Sequence, residues 1–585
     1  MTKYSKKSVK VAAVGMMFVG FWAFVAPVLA AVPSGIVPSQ SVIEDWAVTD
    51  LTFETPVRQV ESFKVDRDFV AWTEIDPEDQ IRRLFSFDSG SVRLLAEMPR
   101  QEWDQDYGNG FFDSVEGNYD VADGRVVWSA SDGTDREIWS YNGFDIVRVS
   151  DNTYDDNHPV TSGGRVAWTS YPGSGYNLMV SDRRGTRRID GWHVKNYAFA
   201  GPNLYWLNRL PEEDWFRVFR ENGQDVKAVG KGDDRAIVNY FWTDRQGTAA
   251  WEYSTKQWGY DKRETFISHR GAAPALRVIQ RDVPPNITRI EDIADRSVIL
   301  NVTNLLQSDA WDRVQLISVN GQERYLDRYV AVTKVRYFGN GLLVRHAVPD
   351  TSSALIIGNG MDSTDFILNE HVIHDRFEAA DGLVAGALLK GGLLVRTDDG
   401  TSVIPTGGQV SRLAIGQGCV AWVEGEEGNG RLRSACPTVA VRGSNGQVSR
   451  VSGRLVKEAG NPDVYLFGID GQRYRFPSET QFWGWYRDFS SVRTVSSAEM
   501  RRVNLAGSVL IRPNYRPVMV SGDPKVYGVT GDGELRWITS GDVMDELYGQ
   551  GWEGRVATIP VRDLLDYHIG APISSAAGGR MALAF

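Results

Sequence analysis

Apolar positions along this chain cluster in runs of four to six residues, and one kind of run recurs. "FVAWTE" at Trp72, "RVVWSA" at Trp128, "RVAWTS" at Trp168, "NLYWLN" at Trp206, "TAAWEY" at Trp251 and "CVAWVE" at Trp422 are all short apolar stretches built around Trp. The first five tryptophans are 56, 40, 38 and 45 residues apart. Between Trp251 and Trp422 the Trp is lost, but "SVILNV" around Leu300, "GLLVRH" around Val344 and "GLVAGA" around Ala385 keep the spacing, 49, 44 and 41 residues along. A period of about 40 to 50 residues with several short strands in each unit predicts an all-β chain, a β-propeller of about eight blades, with seven to nine compatible with the count.

One unit reads in full from Arg125. "RVVWSAS" predicts a strand, "DGTD" a turn, "REIWSYNG" a strand and turn, "FDIVRVS" a third strand, and "DNTYDDNHPVTSGG" the link into the next "RVAW". Side chains alternate across a strand, so Val126 and Trp128 share one face and Val127 takes the other. A blade packs on both neighbours, which accounts for apolar residues at nearly every position and makes the Trp series inter-blade core rather than a ligand platform. The segment "WAVTDLTFETP" is a candidate for the outer strand that closes the ring. "VSDNTYDDNHPVTSGGRVAWTS" followed by "YNLMVSD" resembles the TolB-type, WD40-like propeller repeat, clearly over about 115 to 185 and diffusely to about 440. The resemblance implies the fold and leaves the function open, because related repeats serve binding proteins, peptidases and lyases.

The link from Asp151 to Gly164 has two readings. Asp and Asn form local turns, Pro159 starts the innermost strand and Gly163-Gly164 closes a hairpin. Alternatively Asp151, Asp155, Asp156 and Asn157 offer hard oxygen ligands of the type calcium takes, at a spacing that matches no defined loop. A second acidic run, with Asp104 and Asp106, fits a calcium loop only at its first positions. Two histidines, His371 and His374, with Asp375 form the nearest transition-metal-like cluster, but a strand would send the two side chains to opposite faces.

Beyond about residue 454 the pattern changes. "NPDVYLFGIDGQRYRF" at Asn461 matches "DPKVYGVTGDGELRWI" at Asp523 with an offset of 62, Tyr486 matches Tyr548, and after a two-residue insertion Val492 to Thr494 matches Val556 to Thr558 at 64. This predicts a small duplicated β-rich (α+β) module, copy 1 over 455–515 and copy 2 over 516–572, each a hairpin around Asp-Gly followed by a short helix, with Ser478 and Gln481 in a capping pattern. The pair resembles a tandem module of exported bacterial surface proteins. Trp483, Trp485 and Tyr486 form either its core or a carbohydrate-stacking surface.

Composition adds location. Lys3, Lys6, Lys7 and Lys10 precede an apolar run that ends in small residues at Ala30, the pattern of a signal peptide over 1–30, with an uncleaved anchor as the alternative; 31–50 reads as linker and 51–445 as propeller. The only cysteines, Cys419 and Cys436, flank a Gly-rich turn symmetrically and are expected to form a disulfide in an exported chain, two buried thiols being the other option. A net charge of -11 excludes a general nucleic-acid binder. No nucleophile elbow, zinc motif or phosphate loop occurs, so no catalytic residue and no cofactor beyond calcium is expected. These readings predict a non-catalytic binding or scaffold protein of the bacterial envelope with a protein or glycan partner and no membrane insertion beyond the N-terminal segment. The alternative is a secreted hydrolase or lyase acting on polysaccharide or peptide at the central channel, whose carboxylates would come from separate blades and leave no local motif.

Overall fold

Each Trp-bearing run is the second strand of an antiparallel sheet. The computed structural model describes residues 40–583 apart from short connecting stretches, the longest of them 101–117. Residues 1–30, and with them the signal segment, lie outside the described residues, as does the acidic run at Asp104. Eight four-stranded sheets follow one another in chain order, at 59–99, 119–148, 155–190, 195–228, 237–282, 286–326, 331–369 and 372–404. A ninth sheet consists of Val410–Ile415, Val420–Glu424 and Arg431–Pro437, extended by Trp46–Asp50 and Gln40–Ile43 from the other end of the chain. Each blade contacts the next, and the ninth contacts the first. The fold is a β-propeller with nine blades among the described residues, one more than the expected eight and within the range the spacing allows.

The expected alternation holds and has a direction. Val126 and Trp128 pack with Phe69, Ala71 and Leu84 of blade 1, whereas Val127 packs with Val166 and Trp168 of blade 3. Trp206 likewise meets Ala167, Leu178 and Val180 of blade 3, and Trp422 meets blade 8. The second-strand Trp thus faces the preceding blade, and all six are essentially inaccessible to solvent. In blade 6 Leu300 fills the Trp position against Ala250 and Ile267.

Closure joins the two ends of the propeller. Ala47 stands opposite Cys436 in the ladder between Trp46–Asp50 and Arg431–Pro437, so part of the span read as linker is two strands of the ninth blade. Cys419 and Cys436 form the disulfide, with Cα atoms 4.4 Å apart and both residues buried against Leu51, Val60 and Trp72.

The hairpin Val439–Gly443 and Val448–Val451 belongs to the C-terminal sheet, because its first strand pairs with Asn504–Val509. The duplication is present in the pairing itself. Val456 lies parallel to Arg493 as Val518 does to Ala557, and Gln472 to Asn504 as Glu534 does to His568, reproducing the offsets of 62 and 64. The helices Glu479–Trp485 and Gly541–Tyr548 are capped by Ser478 and Ser540. Trp483, Trp485 and Tyr486 pack against the copy 1 core, and the Trp485 indole N–H donates to the Leu510 carbonyl at 2.7 Å, which favours a core role over a stacking surface.

Both copies dock by the same face. In copy 1, Val456, Phe467, Val495 and Met500 receive Phe144 from blade 2. In copy 2 the equivalent Val518, Val529, Ile559 and Leu564 receive Ala440, Leu510 and Ile511 from copy 1 and its hairpin. The contact between copy 1 and blade 1 leaves no room for a side chain at Gly90, whose φ is +84° and where a Cβ would sit 1.5 Å from the Ile469 carbonyl oxygen.

Trp206→Ala is expected to cost about 3–5 kcal/mol in chemical denaturation, since it opens a cavity and strands Asp190, which accepts the indole N–H at 2.6 Å. Replacing both Cys419 and Cys436 by Ala is expected to cost about 2–4 kcal/mol and to increase proteolysis near residues 40–50, because the bridge sits beside the closing strand.

Candidate functional site

The link that follows blade 2 is held together from below by one carboxylate. Glu137 accepts from Arg148 at 2.8 Å, from the Asn152 main-chain N–H at 2.7 Å and from the Ser150 hydroxyl, and it is fully buried. Asp151 is exposed on the link and pairs with Arg148 at 2.9 Å. Asp155 accepts the Arg136 main-chain N–H, Asp156 accepts the Asn152 amide at 2.7 Å, and Asn157 accepts the Ser129 hydroxyl. The innermost strand runs Asp155–Ser162, so it begins four residues before Pro159, which instead sits in a bulge between Asn157 and Val160 where no ladder N–H is needed.

The four residues proposed for calcium therefore do not converge: Asp151 faces solvent while Asp156 and Asn157 are buried in the sheet. Among the described residues the carboxylates that do converge are Asp132, Asp135 and Glu137, from the "DGTDRE" turn of blade 2, with ligand atoms within 4.8 Å of one another. Arg148 supplies positive charge there, reaching Asp132 at 2.8 Å as well as Glu137 and Asp151. Sequence reasoning treated that turn as a connection only, although its two Asp residues were a signal. Burial pushes the Asp156 carboxyl up to about 6, and burial likewise pushes Asp244 up to about 6. His371 and the side chains of His374 and Asp375 lie outside the described residues.

Charged residues from separate blades meet along the innermost strands. Seven of the nine inner strands carry a register shift in the strand stretches Gln59–Asp66, Asp155–Ser162, Lys195–Ala200, Ile237–Thr243, Asn286–Ala294, Ala331–Gly339 and Val410–Ile415, and Val372–Ala380 carries a longer one. Such bulges interrupt the ladder locally and free carbonyl groups. Cations of one blade reach carbonyls of the next: Lys64 to Tyr119 at 2.8 Å, Lys334 to Phe377 at 2.6 Å, Arg376 to Val410 at 2.8 Å, and Arg412 to Glu61 at 2.7 Å and to Val60. Carboxylates on these strands include Glu61, Asp120 and Glu378. Glu61 is held by Arg82, Asp120 lies 3.8 Å from Lys64, and Glu378 binds Lys334 at 2.6 Å and Arg336 at 2.9 Å. None of these positions was singled out from the sequence, because no two are near one another in the chain.

One side of the ring is partly covered. Turns that join the first and second strands of blades 1 and 2 meet copy 1, with Arg67 donating to the Ser491 carbonyl and Arg493 to the Gly124 carbonyl at 2.8 Å. Burial, with Arg454 adjacent, lowers the Arg493 guanidinium to about 10. On the same side Arg245 of blade 5 pairs with Asp66 of blade 1 and donates to the Val121 carbonyl at 3.3 Å. Among the described residues no helix is long and apolar enough to cross a membrane.

The sheets define a β-propeller with an appended duplicated module. No family model matches the chain, and no curated protein matches it. Solved structures are similar at low level: the β-propeller domain of the Trilobed protease from Pyrococcus furiosus at 8% identity and TM-score 0.32, over 60% of this chain and 98% of that one. Pyrococcus horikoshii acylaminoacyl peptidase gives 10% and 0.31, over 55% and 52%; a prolyl endopeptidase gives 9% and 0.34, over 86% and 61%. At these scores the fold assignment rests on the sheet order of the chain itself. By their printed names these neighbours are proteases or peptidases, and the expectation of a non-enzyme finds no support among them.

Asp156→Asn tests the buried link. A carboxyl raised from its usual value to about 6 stabilises the fold below about pH 4, and that contribution is lost as pH rises through about 6. The variant is expected to gain stability relative to the parent at pH 7–8, by up to about 3 kcal/mol, and to show a flatter stability profile between pH 4 and 6 in thermal denaturation.

Proposed function

We propose that this chain is an exported propeller enzyme, a hydrolase or lyase that acts on a peptide or polysaccharide at the central channel, with repeats of the TolB type and a surface-associated tandem module. The observation that carries this reading is the set of carboxylate–cation pairs that the innermost strands of separate blades contribute, Glu61 with Arg82, Asp120 with Lys64, and Glu378 with Lys334 and Arg336. A carboxylate that takes or gives a proton beside a cation that stabilises developing negative charge is the minimum equipment for either reaction class. Drawing these groups from separate blades accounts for a sequence without a local catalytic motif. The N-terminal apolar segment and the disulfide support an extracytoplasmic location, in the envelope or at the cell surface, where glycan and peptide polymers are the available substrates.

The test is turnover by the chain lacking residues 1–30, against peptide and polysaccharide libraries, with products read by mass spectrometry. Cleavage of one class, lowered at least about a hundredfold by Glu378→Gln or Asp120→Asn with unchanged thermal stability, is the expected result. No turnover of either class, or turnover untouched by both substitutions, would overturn the assignment.

A further inference from the structure

Two arginines on the innermost strands of blades 8 and 9 differ from the other inner cations in their partners. Lys64 lies near Asp120, Lys334 and Arg336 share Glu378, and Arg245 holds Asp66. Arg376 and Arg412 have no carboxylate partner among the described residues. Arg376 donates through Nη1 to the Val410 carbonyl, and Arg412 donates to the Glu61 and Val60 carbonyls and lies 5.6 Å from the centre of the Phe63 ring. A guanidinium has five N–H donors in a planar fork, so these contacts use one donor of Arg376 and two of Arg412. Both side chains are half-buried, which leaves the remaining donors within reach of solvent. Arg376 spans from blade 8 to the Val410 carbonyl of blade 9, and Arg412, two residues beyond Val410, spans from blade 9 to blade 1, so the two side chains follow one another along consecutive inner strands.

Two guanidiniums without a carboxylate partner among the described residues, fixed by main-chain carbonyls in a chain of net charge -11, are oriented towards an anion. The carbonyls remove rotamer freedom before any ligand arrives, and a planar fork matches a carboxylate through two parallel bonds. We propose that Arg376 and Arg412 form a carboxylate-binding stretch of the channel wall where blades 8, 9 and 1 succeed one another. It rests on the channel as the substrate site and names what the substrate carries there. The carboxylate belongs either to the C-terminus of a peptide or to a uronate of a polysaccharide.

Calorimetric titration of the chain lacking residues 1–30 separates the sources. One pair of probes is short peptides with free or amidated C-termini, and the other is oligouronates with free or methyl-esterified carboxyls. The expected result is binding of the free-acid member of one pair at least about tenfold tighter than its neutral partner, a preference that Arg376→Gln and Arg412→Gln each reduce about tenfold and that weakens with added salt. Arg412→Lys keeps the charge without the fork and is expected to fall between. Melting curves of each variant establish that it is folded. Equal binding of acid and neutral probes, absence of binding by all four, or an undiminished preference in folded variants would overturn the proposal. Carboxylate-selective binding without turnover would sink the enzyme reading and leave this one standing, whereas turnover indifferent to the carboxylate would do the reverse.

Discussion

The contact between each blade and the one before it is the constraint from which the rest of the propeller follows. A four-stranded sheet of this size has two apolar faces and cannot bury either alone. The second-strand Trp commits one face to the preceding blade, as Trp128 does against Phe69 and Leu84, and the intervening Val commits the other to the next blade. Stability is then a property of adjacent pairs, and an unclosed array would leave one blade face and a sheet edge in water. Pairing of Trp46–Asp50 with Arg431–Pro437 removes that defect by using the two ends of the propeller in one sheet, and the Cys419–Cys436 bridge fastens the strand to which the closing segment pairs.

Packing by whole blades sets where chemistry can occur. Apolar residues fill much of the faces, and on the innermost strands bulges expose carbonyl groups and cations bridge from blade to blade. The bridges that join neighbouring blades hold Asp120 and Glu378 on the innermost strands, and Arg82 of the same blade holds Glu61. Copy 1 covers part of one side of the ring and copy 2 repeats its docking face on copy 1, so the module adds an extension whose geometry is inherited from a single recurring contact.

Much of this architecture was legible in the residues. The Trp spacing predicted repeated blades, the alternation around Trp128 predicted two committed faces, the symmetric flanking of a Gly-rich turn predicted the disulfide, and the offsets of 62 and 64 reappear in the strand pairing of the two copies. Local periodicity carries such information because strands and hairpins are made by residues close in sequence. The link residues were harder. Asp151, Asp155, Asp156 and Asn157 look alike in sequence, and they differ in the structure because one faces water and two lie inside a sheet.

The sequence by itself determined the repeat, its faces, the duplicated module and the pair of cysteines, since each depends on spacing within one unit or on a direct internal match. Only the tertiary structure decided which residues face one another across blades. Arg412 and Glu61 are 351 residues apart and Glu61 and Glu378 are 317 apart, yet ring closure sets all three on three consecutive inner strands. Distances of that kind are created by closing the ring, and no periodicity in the chain records them.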